Sequence, residues 1–343
     1  MKKKSKMFRV LAMIFALSIG VIGCGNVNEQ EASQSAEDSQ ENFTIRVGVC
    51  SGDGNHLLKV LDDHTGFLKD RGINLEVTEF AAGINTIDAI TTDQVDIGLF
   101  ADYAGVNRIG NTLDDTELRA FATINKTNAY YLYVDPEMVE SPEDIVGQTV
   151  VSMAGVVYEY DYGKLFEKYD IDPSSVNIVN VSSNQEALAI AQSKEGVAAW
   201  AYANVAPEFE KQGWKSLLSV GDIDATMYTF LVANNSFLTK NQAKVAKFLS
   251  VSEEAFQYID ENKDEFFSWV ESDLGLKKEL GLAAWEASAH KYTFEQEAYD
   301  DLVNVEKWCY SNGNFDKDYE VGDFINTDAL KEVAPDRVDW TKK

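Results

Sequence analysis

The sequence has 343 residues, of which 57 are acidic and 30 are basic, and its formal net charge is -27. Such an acidic surface disfavours nucleic acid and anionic lipid headgroups as partners. The histidines have no metal-ligand spacing and no phosphate-binding loop is present, so we expect no metal and no cofactor. The length is sufficient for two domains, each with its own hydrophobic core.

The amino-terminal segment has the pattern of a secretory signal. Residues 2–9 carry five basic side chains and no acidic one, and the apolar run at 10–22 is too short to cross a bilayer, which takes roughly 20 helical residues. The stretch VIGC, which ends at Cys24, then resembles the lipobox of bacterial lipoproteins. That resemblance predicts a signal peptide at 1–23 and acylation of Cys24, for example by palmitate. A plain secreted protein and a signal anchor are the alternatives.

The segment 24–42 is predicted to be a disordered tether. It is rich in Ser, Asn, Gln and Glu, and Val27 is its one strongly apolar residue. Such a composition cannot bury enough apolar surface to fold. Because five basic and no acidic residues precede Cys24, loss of the signal would change the net charge from -27 to -32.

From Phe43 onward, short β-rich runs alternate with segments of helical periodicity. This alternation predicts parallel strands joined by right-handed crossovers, with ligand sites beyond the carboxyl ends of the strands. The predicted elements of the first set are a strand at 45–49, a helix at 55–70, a strand at 77–80, a helix at 83–92 and a strand at 95–100.

The same order of elements returns later in the chain, which predicts a second α/β lobe. Ser141 before Pro142, with an acid at Asp144, predicts that a helix starts there, just before the first strand of this lobe. The predicted elements of this second set are a strand at 148–153, a helix at 157–169, a strand at 177–181, a helix at 184–193 and a strand at 197–202.

Two further β runs, at 129–134 and 227–233, are predicted to carry the chain from one lobe to the other and back. A capping box at Thr239 and Gln242 is predicted to start a long helix after the second run. The cleft between two such lobes favours a small-ligand pocket and hinge closure. The predicted boundaries are 43–130 and 227–343 for lobe I and 131–226 for lobe II.

Stretches such as IRVGVCSGDGNHLLKVL, INLEVTEFAAGINTIDAITTDQVDIGLF and FLVANNSFLTKN resemble the solute-binding proteins of ABC importers. The similar family captures aliphatic sulfonates, taurine, nitrate and thiamine precursors. The resemblance spans about 43–257 and implies the type II periplasmic-binding fold, with two α/β lobes of mixed, mainly parallel sheets joined by two crossing strands. It also implies a monomeric, non-enzymatic protein outside the cell, which delivers a small solute to an ABC permease.

Ligand contacts in this fold are expected in loops after strand ends and at helix starts, where free backbone N–H groups face the cleft. The resemblance implies the following ligand-binding residues in lobe I: Ser51, Asp53, Asn55, Gly83, Asp102, Tyr103 and Tyr228. Those in lobe II are Gly155, Val156, Tyr158, Trp200, Tyr202 and Asn204.

The chemistry of these loops favours a nitrogen heterocycle over an anion. They contain acids and no Lys or Arg, whereas a sulfonate or nitrate needs hydrogen-bond donors and often a cation. Aromatic faces beside carboxylates suit a thiamine-precursor-like pyrimidine or an organic cation, with about 0.5–2 kcal/mol from each well-placed ring. Plainer interpretations also exist: Glu159 and Asp161 as solvated helix caps, Asp53 as a turn former, and Tyr162 as packing on its own sheet.

Two other functions remain open at the level of the sequence. A ligand-sensing lipoprotein that signals to a membrane receptor would have the same binding chemistry. A pyrimidine-synthase-like enzyme would share the fold, but it would carry a cysteine-rich motif, and this sequence has three dispersed cysteines.

Overall fold

A computed structural model describes residues 42–50, 53–80, 83–113, 116–153, 155–202, 205–286 and 288–342. The predicted signal segment, Cys24 and most of the tether lie outside the described residues, as do Ser51 and Asn204 of the predicted site. Among the described helices, none combines the length and the apolar character needed to cross a bilayer.

The chain first builds most of one sheet and its helices, which form lobe I. These elements are β1 (Phe43–Cys50), α1 (Gly54–Thr65), β2 (Ile73–Phe80), α2 (Gly83–Thr91), β3 (Ile97–Ala101), α3 (Asp102–Gly110) and β4 (Leu118–Thr127). The next elements form lobe II: β5 (Tyr130–Val134), β6 (Thr149–Ser152), α4 (Tyr158–Lys168), β7 (Asn177–Asn180), α5 (Asn184–Ser193), β8 (Ala198–Tyr202), α6 (Ala206–Lys211) and β9 (Lys215–Ser219).

The rest of the chain returns to the first sheet and then continues as helices. These elements are β10 (Met227–Asn234), α7 (Asn235–Lys240), α8 (Gln242–Glu261), α9 (Lys263–Leu274), α10 (Lys278–Glu286), α11 (Gln296–Ser311) and α12 (Asp328–Val333). The predicted capping box at Thr239 is wrong, because Thr239 lies inside α7 and α8 begins after Asn241 without a side-chain cap.

Each lobe contains one five-stranded mixed sheet. The first has the order β2-β1-β3-β10-β4, in which β10 runs antiparallel to both neighbours. The second has the order β7-β6-β8-β5-β9, in which β5 is the antiparallel strand. The predicted fold is therefore confirmed, with two matched α/β lobes. The chain changes sheets between Thr127 and Tyr130 and again between Ser219 and Met227.

Local chemistry explains where the first helix begins and ends. Asp53 precedes α1, and its carboxylate accepts hydrogen bonds from the backbone N–H groups of Asn55 at 2.8 Å and His56 at 3.0 Å. Such a cap satisfies N–H groups that have no partner within the helix. Gly66 ends the helix with a φ of 71°, a conformation that glycine adopts without steric cost. The predicted helix at 55–70 therefore stops earlier than its apolar pattern indicates.

The two faces of β5 pack against different parts of lobe II. Leu132 belongs to the main hydrophobic core, whereas Tyr133 belongs to a smaller cluster with Phe209 and Trp214. Because side chains alternate along a strand, Tyr130 shares the face of Leu132 and Tyr131 shares the face of Tyr133. This alternation directs Tyr130 toward the α4 side of the sheet.

The start of α3 depends on a close contact that only glycine allows. A Cβ atom at Gly105 would lie 2.1 Å from the buried ring of Phe100, whereas a Cβ atom at Gly54 would meet Phe256 at 3.7 Å, an ordinary contact. We expect Gly105→Ala to lower the free energy of unfolding by about 1–3 kcal/mol through overpacking. Gly54→Ala should change it by less than about 0.5 kcal/mol. Denaturant titration of both variants measures the difference, and equal stability would contradict the packing described for α3.

Candidate functional site

A tyrosine predicted to bind ligand joins the two lobes. Tyr103, in the first turn of α3, is fully buried, and its phenol oxygen donates a hydrogen bond of 2.5 Å to the carboxylate of Glu159 on α4. The side-chain amide of Asn314, from lobe I, donates to the same phenol oxygen at 2.9 Å. Since α3 and α4 belong to different lobes, the cleft between them is closed in this structure.

A glycine allows this close approach. Gly163 on α4 faces the indole of Trp308 on α11, and a Cβ atom at position 163 would lie 2.0 Å from that ring. The ring of Tyr160 meets the same indole edge-on, with 5.2 Å between the ring centroids. A larger side chain at position 163 would therefore hold α4 and α11 apart.

Three tyrosines of lobe II cluster at the carboxyl end of β8. The ring centroids of Tyr130 and Tyr202 are 4.8 Å apart, and the ring of Tyr158 meets Tyr130 edge-on at 6.0 Å. Tyr130 and Tyr202 are half-buried, so part of each ring remains available for contact. Such rings offer flat apolar surfaces to a bound molecule.

Trp200 lies deeper on the same face of β8 and is 2% exposed. Its ring meets Tyr162 edge-on at 6.2 Å, while the Tyr162 hydroxyl donates to the carbonyl oxygens of Val151 and Ala198. Tyr162 thus packs on its own sheet, as its plainer interpretation predicts. The indole N–H of Trp200 has no partner among the described residues, so it differs from a fully satisfied core group.

Asp102 holds the start of α3 against β10. It is 1% exposed, and its carboxylate accepts hydrogen bonds of 2.6 Å from the backbone N–H groups of Tyr103 and Tyr228. Burial raises the pKa of Asp102 to about 6, although these N–H groups favour its charged form. The carboxylate is therefore a hinge-side acceptor that is already occupied by backbone donors.

Asp301, on α11, lies beside Asp102. Burial raises the pKa of Asp301 well above its ordinary value, and the neighbouring charge and hydrogen bond of Asp102 raise it further. Two adjacent carboxyl groups cannot both be charged at low cost, so the pair retains one proton. Burial and the charge of Asp102 favour the proton on Asp301, whereas two backbone N–H groups favour the charged form of Asp102.

Asp161, on α4, is completely buried, and both its carboxylate oxygens lack a hydrogen-bond partner among the described residues. Burial, followed by the charge of Asp102 across the cleft, raises its pKa well above the ordinary value. The interpretation of Asp161 as a solvated cap is therefore wrong, since α4 turns this carboxylate inward. The same interpretation is wrong for Glu159, which bonds to Tyr103.

Ser152, at the end of β6, adds another polar group with no partner among the described residues. The register of β6 against β8 pairs Val151 with Ala199, so Ser152 and Trp200 are neighbours on the face that α4 covers. Lobe II thus presents an unused hydroxyl, an unused indole N–H and an unused carboxylate under one helix. Buried polar groups are normally paired, so this set is suited to a bound polar molecule.

Positive charge is scarce around these acids. Among the described residues, no Lys or Arg forms an ion pair or hydrogen bond with Asp102, Asp161 or Asp301. Lys126 lies 5.5 Å from the ring centroid of Tyr228, but its ammonium group binds Glu297 at 2.8 Å. The described part of the cleft is therefore acidic and aromatic.

The remaining predicted residues have more structural roles. Both oxygens of Asp53 accept backbone N–H groups, one of them from Cys50 at 2.6 Å, and burial raises the Asp53 pKa to about 7. Asn55 is buried in the first turn of α1, and Gly83 lets α2 pack against Leu99. Of the others, Gly155 is an exposed turn residue with a φ of 75°, Val156 is half-buried beside it, and Tyr228 is buried in β10.

Several residues of the cleft were not among the predicted site residues: Ser152, Glu159 and Asp161 of lobe II, and also Tyr130, Asp301 and Trp308. Tyr130 begins β5, and the run AYYLYV predicts the strand without showing which tyrosine faces the cleft. Asp301 and Trp308 come from α11, about 200 residues after Asp102 in the chain. No local pattern in the sequence signals that contact, because it depends on how α11 packs against α3.

Known proteins of similar sequence and fold support this description. A model of the family described as NMT1/THI5 like matches residues 53–266. "Putative binding protein YtlA" of Bacillus subtilis (strain 168) is 25% identical over an alignment of 292 residues, which covers 78% of this chain and 82% of that protein. The periplasmic aliphatic sulphonate binding protein SsuA from Escherichia coli has a TM-score of 0.70 at 16% identity, over 82% of this chain and 92% of SsuA.

The same fold also occurs in the desulfurization enzyme DSZB, with a TM-score of 0.61 at 13% identity over 86% of this chain and 99% of that enzyme. The two lobes and the two sheet changes are those of the periplasmic binding protein fold. Within that fold class, the chain belongs to the NMT1/THI5-like family. Because one fold serves different functions, the function must be argued from the cleft.

The shared proton of Asp102 and Asp301 predicts a pH dependence. Folded Asp301 holds a proton that the unfolded chain releases near the ordinary carboxyl pKa of 3.8, so this group lowers the free energy of unfolding as pH rises above about 4. Asp301→Asn removes the carboxyl group whose pKa is raised, so we expect a shallower decline between about pH 4 and 7. Denaturant titrations across this range measure it. Asp300→Asn, at an exposed neighbour, should follow the wild type, and identical slopes for both variants would contradict the shared proton.

Proposed function

We propose that this protein is the lipid-anchored, extracytoplasmic solute-binding component of an ABC importer, and that it captures a small nitrogen heterocycle such as a thiamine-precursor-like pyrimidine. The observation that carries the proposal is the acidic, aromatic cleft with unpaired polar groups in lobe II. The family likeness supports a binding function. In this proposal the protein acts as a monomer and catalyses no reaction.

The chemistry of the cleft supports a heterocycle in three ways. The half-buried rings of Tyr130 and Tyr202 provide flat surfaces for stacking. The unpaired carboxylate of Asp161 accepts hydrogen bonds from an amino group, and the unpaired indole N–H of Trp200 donates to a ring nitrogen. A planar molecule that carries both donors and acceptors would use all of these groups at once.

A sulfonate is the second candidate, because the chain has the fold of the sulphonate-binding protein SsuA. A sulfonate is a permanent anion and would have to enter beside the buried carboxyl groups of Asp102 and Asp161 and the half-buried one of Asp301. Bringing like charges together at short range in a poorly solvated site is costly. Charge therefore favours the heterocycle, while the likeness of fold does not distinguish the two.

Capture follows from closure of the lobes. In the open protein, water would hydrate Asp161 and the tyrosines, whereas in the closed protein that water is lost. A solute that replaces those hydrogen bonds stabilises the closed state, and it can shift the equilibrium only by its differential affinity for that state. The closed lobes then form the surface that a permease recognises.

The binding proposal is tested with the purified protein and a panel of pyrimidines, amines, alkanesulfonates and nitrate. A ligand at 100 times its dissociation constant stabilises the fold by about 2.7 kcal/mol, so its class is identified by a rise in melting temperature. We expect the pyrimidines and amines to give this rise, and small-angle scattering to show a smaller radius of gyration. A rise with alkanesulfonates alone would contradict the heterocycle.

Two adjacent tyrosines on opposite faces of β5 provide a matched pair of variants. Tyr130→Leu removes a ring from the cleft, and we expect the affinity for the identified ligand to fall by about tenfold, since a well-placed ring contributes about 0.5–2 kcal/mol in addition to its buried area. Tyr131→Leu removes a ring from the other face and should leave the affinity unchanged. Calorimetric titration measures both, and an equal loss in the two variants would place the ligand elsewhere.

The lipid anchor is tested at Cys24. We expect the wild-type protein to incorporate labelled fatty acid and to partition into detergent, whereas Cys24→Ala should lose the label and enter the aqueous phase. Ligand affinity should be the same in both forms, because the tether is separate from the folded lobes in the sequence. Detergent partitioning of the unlabelled wild type would instead favour a signal anchor.

A sensing role would use the same cleft, so the partner distinguishes it from transport. Deletion of the protein should abolish uptake of labelled ligand if the partner is a permease. Uptake that persists after deletion, together with a lost response to the ligand, would favour the sensing lipoprotein.

A further inference from the structure

Asp161 is the residue of the closed cleft whose burial is hardest to explain by folding alone. It has no exposed surface, and neither carboxylate oxygen has a partner among the described residues. Leaving such a group unpaired costs the full desolvation of its polar atoms. A carboxylate that only stabilised the fold would have a donor, as Asp102 has in the backbone of Tyr103 and Tyr228.

The surroundings of Asp161 come from both lobes. On its own lobe, Tyr158, Tyr160 and Tyr162 of α4 lie close enough for its charge to act on their hydroxyl groups, as does Tyr130 of β5. From lobe I, Asp102 acts on Asp161 across the cleft. Among the described residues, the titratable groups on which Asp161 acts are therefore tyrosines and a second acid.

We propose that Asp161 is the residue that selects a positively charged ligand, so that the solute of this protein is bound as an organic cation with the Asp102–Asp301 pair as the second acidic wall of the site. This inference rests on the proposed binding function and specifies its substrate class. A planar cation stacks on Tyr130 and Tyr202 while its charge lies beside Asp161. Stacking of a desolvated cation on such rings adds to the ion pair.

The proposal also explains why the lobes close on the ligand. In the absence of a cation, closure forces Asp161 either to lose its hydration or to take up a proton. A cation removes that cost, so it stabilises the closed state more than the open one. A neutral ligand of the same shape would leave the carboxylate unpaired and would close the lobes less well.

The first test needs no ligand. Asp161→Asn removes the unpaired acid with little change of shape, and Glu167→Gln removes an exposed acid from the same helix. If Asp161 is kept for ligand binding, the ligand-free Asp161→Asn protein should melt about 2 °C or more above the wild type at pH 7. Glu167→Gln should melt within about 1 °C of the wild type. A lower melting temperature for Asp161→Asn would show that the carboxylate stabilises the fold, and would overturn the proposal.

The second test uses probes that separate charge from shape. Benzamidinium and benzamide are nearly isosteric, N-methylpyridinium is a cation without an N–H group, and benzenesulfonate is the corresponding anion. We expect calorimetric titration to show the two cations binding the wild type at least tenfold more tightly than benzamide or benzenesulfonate. Asp161→Asn should lose most of that preference, whereas Glu167→Gln should keep it.

The outcomes distinguish this inference from the general binding function. Equal affinity for benzamidinium and benzamide, no binding of either cation at millimolar concentration, or an unchanged preference in Asp161→Asn would each overturn the cation site. Solute binding would still stand if an uncharged or anionic member of the wider panel closed the lobes in scattering measurements. Failure of every solute to change the shape of the protein would overturn the binding function itself.

Discussion

The main energetic constraint on the cleft is the desolvation free energy of carboxyl groups that are buried without a counter-charge. The carboxylate of Asp102 offsets this cost with hydrogen bonds from two backbone N–H groups, whereas Asp161 has no partner among the described residues. Two residues further along α4, Gly163 packs closely against Trp308, so the helix that carries Asp161 lies directly against lobe I. In the proposed function, a molecule that supplies donors or positive charge provides the partner that Asp161 lacks.

Much of the fold could be predicted from the sequence, because buried parallel strands and amphipathic helices have strong local patterns. The helix at 184–193 has the predicted bounds, and the two sheet changes lie within a few residues of the predicted crossings. The strands β4 and β9 were missed. Both are edge strands, but so are β2 and β7, which were predicted, so edge position alone does not explain the omission.

The site was less predictable than the fold, for a physical reason. Loops after strand ends are where a ligand is expected in this fold, and Asp102, Tyr103 and Tyr202 were predicted as site residues on that basis. The direction of a side chain on a short helix depends on packing, and so Asp161 was interpreted as a solvated cap although it is buried. The residues of α11 that reach the cleft lie about 200 residues after Asp102 in the chain. No local motif in the sequence predicts such a distant contact.

The contact between Gly163 and Trp308 has an optical consequence. Trp308 is half-buried in the closed structure, with α4 against its ring, and separation of the lobes would expose more of the indole to water. Indole emission moves to longer wavelength in a more polar medium. Trp308 is therefore an intrinsic fluorescent reporter of lobe movement. Its close contact with α4 exists because residue 163 is a glycine.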